Sequence, residues 1–233
     1  MAREDFIDNL RLASRTLPPP SVWTGRGPEA DALFSFSMHS ADLWLTPKSV
    51  AGFDPADFSD WRPAERAELE RDVAAFLEVA KQVSADQPAT KGQSKQARKH
   101  LEHVIGMVGK RLLGEWLAAQ QNLMAEATSA AKAKGWFVEK DEKDVRESLL
   151  GAYRAPRLRI RTQDNEVVLD PIARFGSGRQ GVVDLVVMPT YETKYLVAFK
   201  DGHWQIVSPE RSLHARPFTR KTLVNTITRL AHR

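Results

Sequence analysis

The stretch LVAFKDGHWQIV, residues 196–207, constrains this chain more than any other. Asp201-Gly202 lies between two runs of alternating apolar residues, and that dipeptide supplies the positive φ values a two-residue hairpin turn requires. Pairing Lys200 with His203 sets Phe199 opposite Trp204 and Val197 opposite Ile206. Both pairs are apolar, so hydrophobic pattern and turn chemistry agree on one register. The preceding run VVDLVVM extends the pattern. Val183, Leu185 and Val187 join the face of Tyr195, Val197 and Phe199 if Pro189-Thr190-Tyr191 forms a three-residue loop with Met188 opposite Glu192. Upstream, RLRIRTQDNEVVLD predicts a turn at Asp164-Asn165. That turn places Ile160 opposite Leu169, Thr162 opposite Val167 and Arg159 opposite Asp170, with Leu158, Ile160, Val167 and Leu169 on one face. The chain then ends in a helix over 219–231. Thr219 is its N-cap, Phe218 staples onto Leu223, and Leu223, Val224, Ile227 and Leu230 form its buried stripe.

The N-terminal part reads differently. Phe6, Ile7, Leu10 and Ala13 suggest a helix over 4–15, and LPPPSVWTGRGP then forbids regular structure. Phe34, Phe36 and Met38 alternate with polar residues, which predicts a half-buried strand that pairs with Leu43-Trp44-Leu45. Asp54 and Asp60 each precede a proline and are read as caps, Asp60 for a helix over 63–84. A long helix follows from about 94 to 133, with a stripe through Leu101, Val104, Val108, Leu112, Trp116 and Leu123 and with Gly135 as its C-cap. Such a stripe must pack on the 63–84 helix or on a second copy of the chain. A shorter helix is expected over 140–152. The fold class is α+β: an N-terminal helical part with one long helix, then a C-terminal antiparallel β-meander capped by a helix. The regions are 1–61 (helix plus a short β/loop segment), 62–152 (helical) and 153–233 (sheet and C-terminal helix).

Composition narrows the class. A hydrophobic content of 42% is enough for a core, and the absence of cysteine excludes disulfides and thiolate metal sites. No apolar run approaches the length of a membrane span, and MAREDFIDNL does not read as a signal peptide, so a soluble cytoplasmic protein is expected. Charge is uneven. Residues 151–233 hold 14 Lys and Arg against 7 Asp and Glu, whereas residues 1–150 hold 20 against 23. A basic back half suggests a face for a polyanion. Arg159, Arg161, Arg174 and Arg179 are its candidate anion-binding residues, with Tyr153, Phe175 and Phe218 as nearby aromatics.

Three catalytic patterns bear testing. Asp184 followed by Glu192-Thr193-Lys194 is similar to the D…ExK signature of the restriction-endonuclease-like fold. The resemblance, confined to these residues, implies a Mg²⁺-dependent nuclease in which Asp184 and Glu192 hold the ion and Lys194 polarises the attacking water. The meander register opposes it. Asp184 falls opposite Leu196, four residues from Glu192, so the carboxylates start roughly 13 Å apart. Gly176-x-Gly178-x-x-Gly181 with Lys200 looks like a protein-kinase small lobe, but the 33 residues after Lys200 contain neither HRD nor DFG. What remains there is an anion contact through Arg174 and Arg179. His100 and His103 are three apart, whereas the zincin pattern needs four, and they read as a surface pair. The expectation is a non-catalytic interaction or accessory module whose basic C-terminal face meets nucleic acid or an acidic protein. Self-association through the long helix is also expected. No cofactor is expected, Mg²⁺ entering only with the nuclease reading, and no membrane.

Overall fold

In a computed structural model of the chain, residues 2–17, 44–83, 89–175, 181–200, 202–208 and 211–231 are described. The strand expected over 33–39, the glycines Gly176 and Gly178, and Arg179 lie outside them. The architecture is α+β, as the sequence predicts. The chain forms two compact units, Met1–Arg111 and Leu112–Arg233.

In the first unit α1 spans Ala2–Thr16, with Glu4 and Asp5 in its first turn and Arg15 in its last, matching the helix dipole. Phe6, Leu10 and Ala13 are buried, and Leu12, off the stripe, is 61% exposed. Phe6 meets Phe53 and Phe58 at centroid distances of 5.2 and 5.7 Å, and Phe58 meets Trp61 edge-on at 5.3 Å. The acid-and-aromatic segment is therefore an aromatic plug, whose edge-to-face geometry adds to its area burial. Asp54 caps the 3-10 turn Pro55–Phe58, accepting from the Ala56 N–H at 2.9 Å. Asp60 does not cap α2 (Pro63–Gln82). The N-cap position is Arg62, which pairs with Glu65, and Asp60 instead binds Arg111 at 3.2 Å. The α2 stripe of Leu69, Val73, Phe76 and Ala80 is buried.

The long helix α3 (Lys91–Ala133) starts three residues earlier than the stripe alone predicts. The reason is a reciprocal cap. The Thr90 N–H donates to Gln93 Oε1 at 2.9 Å, and the Gln93 N–H donates to Thr90 Oγ1 at 3.3 Å. Leu101, Val104 and Val108 are buried in the first unit, and Leu112, Trp116, Leu123 and Ala127 in the second. The stripe is thus buried within one chain. Gly135, at φ 73, ends the helix with bonds from Gly135 N–H to Lys132 O and from Trp136 N–H to Ala131 O. That is the left-handed cap expected there.

The helix expected over 140–152 does not form. Residues 137–147 are strand β1 (Phe137–Glu147), paired along its length with β2 (Gly151–Arg161). Glu and Lys favour helix in isolation, but FVEKDEKDVRE has no 3.6-residue apolar stripe to bury, and pairing to β2 overrides propensity. The sheet continues through β3 (Glu166–Ala173), β4 (Gly181–Met188), β5 (Glu192–Lys200), β6 (His203–Ser208) and β7 (Arg211–Pro217), each beside its sequence neighbour and all antiparallel. Neither β1 nor β7 was foreseen. The β5–β6 register is the one predicted, with Phe199 opposite Trp204 and Val197 opposite Ile206. The β2–β3 turn is centred one residue earlier than expected. Leu158 faces Leu169, Ile160 faces Val167 and Arg159 faces Val168. Thr162 closes this turn: its hydroxyl accepts from the Asn165 N–H at 3.0 Å, and its N–H donates to Asn165 O at 2.8 Å. The shared apolar face survives because the offset is even.

Between β4 and β5 the inner register is also as predicted, with Asp184 opposite Leu196 and Leu185 opposite Tyr195. Past a bulge, Val186 faces Thr193 and Val187 faces Glu192, so the loop end slips by one. Helix α4 (Arg220–Ala231) begins as expected, with Thr219 Oγ1 accepting from the Thr222 N–H at 3.1 Å. Trp116 pins the sheet's apolar face to α3. It is 1% exposed, lies 5.7 Å from the Trp204 ring and donates to Tyr153 OH at 3.2 Å.

Candidate nucleic-acid interface

Directly paired residues share a face, so the β1–β2–β3 register puts Phe137, Glu139 and Asp141 on the same side as Arg161, Arg159 and Arg157. Glu166 joins them opposite Arg161. The charges interlock. Arg157 grips Asp141 with two bonds of 2.7 and 2.6 Å, Arg159 donates to Glu166 at 3.0 Å, and Arg161 donates to Glu166 at 2.7 Å and Glu139 at 3.3 Å. Hydrogen bonding to Arg157 holds the Asp141 carboxyl below the usual range, and Arg161 does the same for Glu166. Of the arginines expected to bind anions, Arg159 and Arg161 are therefore committed to carboxylates. The Arg174 guanidinium lies 5.5 Å from the Phe175 ring centroid.

A pH prediction arises from this ladder. A carboxyl whose folded pKa is depressed adds stability above its unfolded pKa of about 3.9, and that stability is lost as pH falls through the folded value. Asp141→Asn should therefore cost about 1 kcal/mol at pH 7, after allowance for partial exposure, and should flatten the acid limb below about pH 4. Urea denaturation at pH 7 and at pH 3 checks this. An unchanged difference between wild type and variant at the two pH values would contradict it.

The acids named from the sequence fall as follows. Asp184 is half-buried and Glu192 exposed. Glu192 pairs with Val187, three residues along β4 from Asp184, and strand alternation puts positions three apart on opposite faces. The bulge at Lys194 thus turns Glu192 away from the Asp184 side, and the register does not bring the two carboxylates together. The acid that does neighbour Asp184 is Asp170, its direct partner on β3. Asp170 is 1% exposed, takes Lys143 Nζ at 2.8 Å and accepts from the Tyr191 hydroxyl. Tyr191 sits at φ 54, a left-handed conformation a bulky residue rarely adopts.

At one end of the sheet, where α3 hands over to β1, a recess of about 380 Å³ opens. Lys134, Trp136, Phe137, Arg161, Gln163 and Thr228 line it. Phe137 is 60% exposed, and the Arg161 guanidinium lies 5.5 Å from its ring centroid. The Asn165 amide donates to Leu230 O at 3.3 Å, which fixes the C-terminal turn of α4 beside the β2–β3 turn. Helix α4, RKTLVNTITRLA, carries three cations and no acid. Arg216, Arg220, Lys221 and Arg229, with Lys134, are exposed and make no ion pair among the described residues. Arg220 and Lys221 occupy the first helical turn, where the dipole disfavours cations, so their placement does not serve helix stability.

Comparison with protein families, with curated proteins and with solved structures gives no match. Among the described residues no helix is long and apolar enough to cross a membrane.

Proposed function

We propose that the second unit is a non-catalytic module that binds single-stranded nucleic acid at the recess and along α4. The exposed Phe137 ring in a recess with Lys134, together with α4 cations that make no ion pair among the described residues, carries this reading. Single strands bind through bases stacked on aromatic rings and a cationic track for the backbone, and the sequence preference of such contacts is weak. Phe137 supplies the stacking surface, and Arg161, held by Glu166 and Glu139, backs its ring. Lys134 lines the recess, Arg229 follows the lining residue Thr228 in α4, and Arg220 and Lys221 lie about 12 Å further along the helix axis from Arg229. A helix N-terminus with two cations favours phosphate there. An acidic protein segment would satisfy the same cations but has no use for the aromatic ring.

The test is fluorescence anisotropy with a labelled oligothymidylate across a salt series. Phe137→Ala should weaken binding by about 5- to 100-fold. Arg220→Gln with Lys221→Gln should weaken it and flatten the slope of log K against log salt by about 1.4, close to 0.7 per lost phosphate contact. No binding at low salt, or binding indifferent to both sets of substitutions, would sink the proposal. Salt-sensitive binding indifferent to Phe137→Ala would instead favour an acidic protein partner.

A further inference from the structure

The geometry points to a divalent transition-metal site of the Zn²⁺ type in the first unit, with Glu68 and His103 as its ligands and Asp72 behind His103. Helix α2 carries Glu68 and Asp72 four residues apart, and α3 carries His100 and His103 three apart, so each pair lies on one helix face. The faces meet on Asp72, which is only 8% exposed. Its Oδ1 lies 2.7 Å from His100 Nδ1, and its Oδ2 lies 2.7 Å from His103 Nδ1. His103 Nε2 lies 3.4 Å from Glu68 Oε1. One donor atom from each of Glu68, Asp72 and His103 falls within 4.8 Å of the others.

This spacing suits a metal. Two ligand atoms about 2.1 Å from a tetrahedral ion stand about 3.4 Å apart, the distance found between His103 Nε2 and Glu68 Oε1. A carboxylate behind a ligating histidine takes its other N–H, fixes the tautomer and raises the basicity of the ligating nitrogen. Asp72 occupies that position behind His103, on the other side of the ring from Nε2, so Glu68 Oε1 and His103 Nε2 are the two protein ligands and water completes the set. His100 holds the second Asp72 oxygen, so the carboxylate keeps its aim. The two charges of Glu68 and Asp72 balance a divalent ion. The side chains of His103 and Glu68 are 47% and 41% exposed, which leaves an entry path and room for water ligands. An imidazole beside a carboxylate favours Zn²⁺ over Mg²⁺, which prefers an octahedron of oxygens.

The test uses the full chain, stripped with a chelator and titrated with Zn²⁺ against a chromophoric zinc indicator. The expected result is one Zn²⁺ per chain, with Glu68→Gln and His103→Gln each weakening binding by about tenfold or more. A large excess of Mg²⁺ should not compete. Glu68 is half-exposed, so Glu68→Gln keeps the test decisive if His103→Gln fails to fold. In parallel, Zn²⁺ should shift the His103 ring resonances and leave those of His203, exposed in the second unit, in place. Wild type that binds no Zn²⁺, variants that bind it equally well, or equal perturbation of all histidines would overturn the site.

Discussion

Trp116→Ala should destabilise the second unit by about 3–5 kcal/mol, the range for removing a large aromatic from a packed core. The ring is almost wholly buried, and it closes a chain of polar contacts as well as filling space. Its N–H donates to Tyr153 OH, and Tyr153 OH donates to Glu147 Oε1 at 2.6 Å. Glu147 in turn accepts from the Arg174 and Phe175 N–H groups at 2.9 and 3.1 Å. Burial, then the bond to Glu147, pushes the Tyr153 hydroxyl well above its usual pKa, so it remains a neutral donor at any working pH. Trp116→Phe should keep most of the packing and lose about 1 kcal/mol through the missing bond. The same contact can be probed from the sheet. A Cβ on Gly181 would lie 2.2 Å from Trp116 Cζ3, and the pinned indole has nowhere to go. Gly181→Ala should therefore cost about 1–3 kcal/mol by overpacking. Urea denaturation followed by circular dichroism measures all three. A Trp116→Ala midpoint equal to wild type would refute the pinning role.

Asp170→Ala should cost about 2–4 kcal/mol, because it strips a buried carboxylate from the ammonium and the hydroxyl that face it. The lower end is expected if Lys143, with its side chain 31% exposed, can return to water. Asp170 Oδ1 has no hydrogen-bond partner among the described residues, so part of the desolvation of this carboxylate goes uncompensated. Asp170→Leu combined with Lys143→Met should accordingly recover part of the loss, since it removes the buried carboxylate and its ammonium together and leaves only the Tyr191 hydroxyl to find water. Tyr191 offers a second readout. Its hydroxyl bond to Asp170 holds the β4–β5 loop in a left-handed conformation, so Asp170→Ala should also speed amide exchange at residues 189–192. A double variant no more stable than Asp170→Ala would show that the ion pair is not what the position requires.

How much could be read in advance varied with how local the cause was. The β5–β6 hairpin was legible because a turn dipeptide and two apolar pairs gave the same register. Strand β1 was not: its Glu and Lys residues have high helix propensity, and only the acids and arginines facing one another across β2 make it a strand. The slip past Lys194 was invisible because nothing in the sequence marks the bulge, yet it decides which face Glu192 takes. Arg161 was named as a cation, but its position over Phe137 joins residues 24 apart. The spacing of His100 and His103 was plain and read as a surface pair. Their partner Asp72 sits on a different helix, and only packing of α2 against α3 could reveal it. The α4 cations are countable in the sequence, while the absence of ion pairs to them among the described residues needed the structure.

Among the described residues β1 has a neighbouring strand on one side only, and eight of its eleven residues are charged. An open β-edge is a template on which another chain can grow. Here any newcomer would have to seat its own side chains against a dense row of acids and bases, so the margin repels strand addition instead of seeding it. The chain should tolerate high concentration without fibrillar polymerisation, a guard that neutral substitutions along β1 would remove.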